Sequence, residues 1–148
     1  MLIYKVKNGN GTVRIILHFG IGLVGNAIKN SVLRLQTPQQ IQHISFSWNE
    51  QAAALQCLEH IFEKTTQLID NDQTQVHIVW SAGKCGFGAT TEETQREQKL
   101  FYAVIDRMDA FAQTLPTRRI CFYLMSSAGG LYENRHRRLC GKMYFFKG

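Results

Sequence analysis

Three glycines spaced Gly20-x-Gly22-x-x-Gly25 carry the clearest chemistry in this chain. In such a turn the first glycine permits a tight bend and the second lets the backbone approach a pyrophosphate. The third allows the following helix to pack close to the strand. Amides at the helix start, aided by the helix dipole, then bind phosphate oxygens. The residues expected to make this contact are Gly20, Gly22, Leu23, Val24 and Gly25. Glycines also mark ordinary turns, so the flanking segments decide. Before the turn, Val13–Phe19 is β-rich and apolar, and after it Ala27, Ile28, Val32 and Leu35 recur at helical spacing until Thr37-Pro38. A strand–glycine turn–helix unit that holds a dinucleotide is therefore the expectation. About twenty residues further on, an acidic side chain commonly holds the adenosine ribose. Here that position reads Ser47-Trp48-Asn49, with neither acid nor arginine, so NAD and NADP are not distinguished.

The elements that must position this turn follow from periodicity. A second strand is expected at Ile41–Phe46, where Ile44 and Phe46 alternate with His43 and Ser45. Asn49, or a Ser47-x-x-Glu50 capping box, then opens an amphipathic helix that runs to about Ile69. Val76–Trp80 is a third apolar strand, and Ser81–Ala89 a loop of small residues. Thr90-x-x-Glu93 caps a further helix whose stripe is Leu100, Phe101, Val104, Ile105, Met108, Phe111, Ala112 and Leu115, ended by Pro116. Arg119–Met125 is the fourth strand, and periodicity is lost from Glu133 onward. Strands that alternate with helices predict an α/β fold: a Rossmann-like doubly wound parallel sheet in three layers, with about four parallel strands and helices on both faces. Residues 1–132 form the dinucleotide-binding domain in this reading, and 133–148 an irregular basic tail.

Composition sets the class. With 148 residues, 45% of them hydrophobic, the chain can build one core without disulfide or metal staples. The net charge is +6, but Arg135, Arg137, Arg138, Lys142 and Lys147 account for +5 of it. The body is nearly neutral, which argues against a nucleic-acid-binding surface there. Cys57, Cys85, Cys121 and Cys140 are scattered, without metal-ligand spacing, so no metal is expected. There is neither a long apolar run nor a secretory leader, which predicts a cytoplasmic protein with no membrane partner. His18 and Trp80 read as packed strand residues, and the charges of Glu92–Arg107 as a solvated helix face.

Three segments in order resemble the extended short-chain dehydrogenase/reductase family, the NAD-dependent epimerase/dehydratases. They are Gly20-Ile-Gly-Leu-Val-Gly25, Val79-Trp-Ser-Ala-Gly83 and Tyr123-Leu-Met-Ser-Ser-Ala-Gly-Gly-Leu-Tyr132. The resemblance implies that Ser81, Ala82 and Gly83 line the cofactor, that Ser126 approaches the substrate and that Ser127 is a catalytic hydroxyl. The chain departs from the family in its tighter glycine spacing and in Ala128 after Ser127. It also has no Tyr-x-x-x-Lys, the pair that in the family serves as general acid/base. The expectation is thus the cofactor half of such an enzyme in truncated form, without the acid/base pair or the substrate domain. A nucleotide-sugar substrate would follow only if a C-terminal half completed it. The competing reading is a non-enzymatic cofactor-sensing or interaction module whose basic tail contacts nucleic acid.

Overall fold

The computed structural model describes residues 1–7, 9–35, 38–71, 73–83, 89–115, 120–125 and 143–145. Leu2-Ile-Tyr-Lys-Val-Lys7 is rich in β-branched and aromatic side chains and forms β1 (Leu2–Lys7). After a turn in which Gly11 takes φ +85° and the Asn10 side-chain oxygen accepts from the Thr12 amide at 3.2 Å, the chain returns as β2 (Val13–Phe19). The two pair antiparallel from Lys7↔Val13 to Leu2↔His18. α1 (Leu23–Leu35) leads to β3 (Pro38–His43), which pairs antiparallel with the other side of β1. Pro38 has no amide hydrogen to donate, and the first residue of an edge strand tolerates this. Then follow α2 (Gln51–Leu68), β4 (Gln75–Trp80), α3 (Thr91–Thr114), β5 (Ile120–Leu124) and the short β6 (Met143–Phe145).

The sheet order is β3-β1-β2-β4-β5-β6. β2, β4, β5 and β6 are mutually parallel, whereas β1 is antiparallel to both its neighbours. The sheet is therefore mixed, which overturns the expected Rossmann-like doubly wound parallel sheet. The physical cause is the N-terminal hairpin. β1 can satisfy its backbone groups on both sides, so it inserts between β2 and β3 and runs against both. The signal was present in Asn8-Gly9-Asn10-Gly11 between two β-rich runs.

Strand alternation sends side chains to two cores. Ile3, Ile15, Leu17, Phe19, Val76, Ile78 and Trp80 face α2 and α3, which present Leu58, Ile61, Phe62, Leu100, Val104, Met108 and Phe111. The two helices lock through Phe62 stacked on Phe111, ring centroids 4.3 Å apart, and through an Arg107–Glu59 ion pair at 3.3 Å. On the opposite face Leu2, Tyr4, Val6, Ile16 and Val79 meet Ile28 and Val32 of α1. Full burial of each large apolar side chain contributes about 1.5–3 kcal/mol, so these two layers supply the main drive to fold. No described helix is long and apolar enough to cross a membrane.

Candidate functional site

Because β2, β4 and β5 are parallel, Phe19, Trp80 and Leu124 end at one edge of the sheet. β3 runs in the same sense as β2, since β1 opposes both, and so the segment 44–50 leaves from that edge too. α1 follows β2 onto one face, and α3 follows β4 onto the other. Ligand crevices form where chain connections part in this way, outside the carboxyl ends of parallel strands. A cleft of about 690 Å³ lies there. Gly20 and Gly22 come to it from the turn, and Ser81, Ala82 and Gly83 from the end of β4. Trp48 and Asn49 precede α2, and Glu93, Arg96, Glu97 and Leu100 line one side of α3.

The three glycines do different things. Gly20 adopts φ +84°, and a Cβ there would lie 2.6 Å from the Ser81 carbonyl carbon and closer still to the Ala82 backbone. A Cβ at Gly25 would strike the Gly20 carbonyl and come within 2.8 Å of Ser81 Oγ. These two glycines are required by packing alone. At Gly22 an added Cβ meets nothing within 4 Å, and the residue opens onto the cleft.

A buried histidine ties the turn to β4. His18 has no exposed surface, and its Nε2 lies 2.9 Å from Ser81 Oγ. The Ser81 hydroxyl is 2.6 Å from the Gly20 carbonyl oxygen and 3.0 Å from that of Phe19, while the Ser81 amide donates to Phe19 O at 2.8 Å. With its single proton donated to the nearer carbonyl, Ser81 Oγ accepts from the Nε2–H of a neutral imidazole. His18 Nδ1 has no hydrogen-bond partner among the described residues. Burial, reinforced by the N-terminal ammonium, lowers the His18 pKa to about 4, so the ring is neutral at physiological pH.

The remaining walls are aromatic and charged. Trp48 packs against Phe46 at 4.6 Å and edge-on to Trp80 at 5.7 Å, and Trp80 stacks on Phe19 at 5.4 Å. On α3 a full capping box forms. The Glu93 amide donates to Thr90 Oγ1 at 3.2 Å, and the Thr90 amide donates to the Glu93 carboxylate at 2.9 Å. Helical spacing then brings Arg96, Glu97 and Leu100 to the same side as Glu93. The expected cap on α2 does not form: its N-cap is Glu50, with no side-chain cap bond, so neither Asn49 nor Ser47 serves there.

Of the expected cofactor residues, Gly20, Gly22, Ser81, Ala82 and Gly83 come together around the cleft. Leu23 and Val24 are 92% and 46% exposed and do not line it, while Gly25 is buried beneath the turn. Ser126, Ser127 and the basic tail up to Lys142 lie outside the described residues. Sequence reasoning missed Trp48, Asn49, Glu93, Arg96 and Glu97 as wall residues. The α3 charges could have been found from their position, since the first turns of a helix that follows a parallel strand sit at the strand's carboxyl edge. Trp80 was expected to be packed, and at 4% exposure it is, yet its rim also reaches the cleft. Among the described residues no group of three His, Cys, Asp or Glu could hold a metal ion. Comparison of the chain with protein-family models, with curated proteins and with solved structures finds no match.

Proposed function

We propose that this chain binds a nucleotide carrying a diphosphate, of the NAD or NADP type, in the cleft between the ends of β2 and β4. The observation that carries the reading is the division among the glycines. Packing accounts for Gly20 and Gly25, whereas Gly22 borders open space in the cleft. A glycine at that place lets phosphate oxygens reach the backbone at the start of α1, where amides without helical partners and the positive end of the helix dipole favour an anion. The volume, about 690 Å³, falls within the range of small-molecule sites. Arg96 supplies a cation on the opposite wall, and Trp48 and Trp80 supply apolar surface.

The proposal is binding and stops short of hydride transfer. The likeness to the epimerase/dehydratases extends to the cofactor motifs, and the chain carries no Tyr-x-x-x-Lys to move the proton. A cytoplasmic setting, where dinucleotides are available, fits the free thiols of Cys57 and Cys121. Isothermal titration with NAD, NADH and NADPH tests the reading. Saturable heat with the wild-type chain, abolished in Gly22→Val at unchanged melting temperature, is the expected result. No heat with any of the three at millimolar ligand would overturn it.

A further inference from the structure

Trp48 is 38% exposed, and it is the one aromatic side chain among the exposed large hydrophobic residues described. Its ring is nonetheless fixed from behind. Phe46, 7% exposed, lies 4.6 Å from it, and Trp80 meets it edge-on at 5.7 Å. Phe46 in turn packs edge-to-face on the fully buried Phe19, with centroids 5.4 Å apart. A large ring that stays partly bare at the wall of a cleft while a buried aromatic chain holds it is a preformed stacking platform. Asn49 follows directly, exposed and on the same cleft wall, and its amide makes no hydrogen bond to a described residue. It is not spent on capping α2, whose N-cap is Glu50.

We propose that Trp48 and Asn49 form a base-reading element specific for adenine, an inference that rests on the nucleotide reading above and assigns the residues that recognise its base. The adenine ring stacks on Trp48. The Asn49 side-chain oxygen accepts from the exocyclic N6 amine while its NH₂ donates to N7, the bidentate match of an amide to the adenine edge. Guanine presents two acceptors at the same edge and leaves the amide oxygen unpaired, so the pair discriminates against it. Gly22 on the same cleft provides for the phosphates.

Both tryptophans of the chain, Trp48 and Trp80, line this cleft, so tryptophan emission, excited selectively over tyrosine, reports on it. The full chain is titrated with ADP, GDP and ribose 5-phosphate, with calorimetry in parallel. ADP is expected to quench the emission and to bind on the order of tenfold more tightly than GDP. Trp48→Leu should weaken ADP on the order of tenfold or more, the loss usual for removal of a base-stacking aromatic, and Trp48→Phe should keep most of the affinity. Asn49→Ala, an exposed change that leaves the fold intact, should bring the ADP to GDP ratio close to one. Equal binding of ADP and GDP by the wild type, or Trp48→Leu and Asn49→Ala variants that bind ADP as the wild type does, overturns the base-reading inference and leaves the nucleotide site standing. No calorimetric binding of either ADP or GDP, whether or not ribose 5-phosphate binds, overturns the nucleotide reading and this inference with it.

Discussion

Replacing the three glycines one at a time by alanine separates what the turn does for the fold from what it does for a ligand. At Gly20 the backbone sits at φ +84°, where a residue with a Cβ is strained by about 1–2 kcal/mol. The new methyl would also lie 2.6 Å from the Ser81 carbonyl carbon, against backbone that cannot rotate away. The end of β4 is held by the Ser81 amide bond to Phe19 O at 2.8 Å, so relief requires parting β2 from β4. Together these place Gly20→Ala at roughly 3–5 kcal/mol of destabilisation, in the range reserved for strain plus overpacking. Gly25→Ala meets the Gly20 carbonyl and Ser81 Oγ, with a similar outcome. Gly22→Ala meets nothing within 4 Å and should stay within about 0.5 kcal/mol of the wild type. Urea unfolding followed by far-UV circular dichroism measures all three at constant m. A Gly20→Ala loss below about 1 kcal/mol, or a Gly22→Ala loss above it, would refute the packing argument on which the functional reading stands.

The network behind the turn is expected to answer to mutation and to acid. Ser81→Ala removes the acceptor from the buried His18 Nε2–H, 2.9 Å away, and should cost about 1–3 kcal/mol in urea unfolding. The double variant His18→Leu/Ser81→Ala should recover part of that loss, because no imidazole N–H is then left buried without an acceptor. His18 and His77 are both held near pKa 4, by burial first and then by the N-terminal ammonium and Arg14 respectively. Both folded values lie below the unfolded 6.5, so on acidification the unfolded chain takes up protons first. Their effect on stability is nil above about pH 7 and grows as pH falls from 6.5 to 4, at most about 3 kcal/mol for His18 and less for the partly exposed His77. A urea midpoint that does not change between pH 7.5 and 4.5 in His77→Gln and wild type alike, with His18 present, would contradict this. Thr90→Ala removes the hydroxyl that caps α3 and should lower stability by about 1 kcal/mol, with faster hydrogen exchange confined to the first turn of that helix.

How much of this was legible beforehand differs from element to element. β2, the glycine turn and α3 with its capping box stand where the pattern placed them, because an unbroken apolar run, a Gly-x-Gly-x-x-Gly and a Thr-x-x-Glu each act through neighbours a few residues away. β1 was overlooked although Asn8-Gly9-Asn10-Gly11 is a hairpin signal, and with it the antiparallel half of the sheet. Even with that strand recognised, its insertion between β2 and β3 would not have followed. Strand order depends on which edges find partners across the whole chain, and hydrophobic period carries no record of that.

Local patterning thus determined the helices, the strands β2, β4 and β5 and the bend at Gly20–Gly25, since these are short-range matters of backbone freedom and side-chain spacing, whereas the strand expected at Ile41–Phe46 lies at Pro38–His43. Tertiary structure alone decided that the bend opens onto a cleft, that Trp48 and Asn49 reach it from beyond β3, and that Arg96 and Glu97 face it. Those residues lie more than twenty positions from Gly25. Trp48 and Asn49 reach that edge because β1 opposes both its neighbours and leaves β3 running in the same sense as β2, and Arg96 and Glu97 reach it because β4 lies parallel to β2, long-range pairings set by burial and hydrogen bonding over the entire sheet.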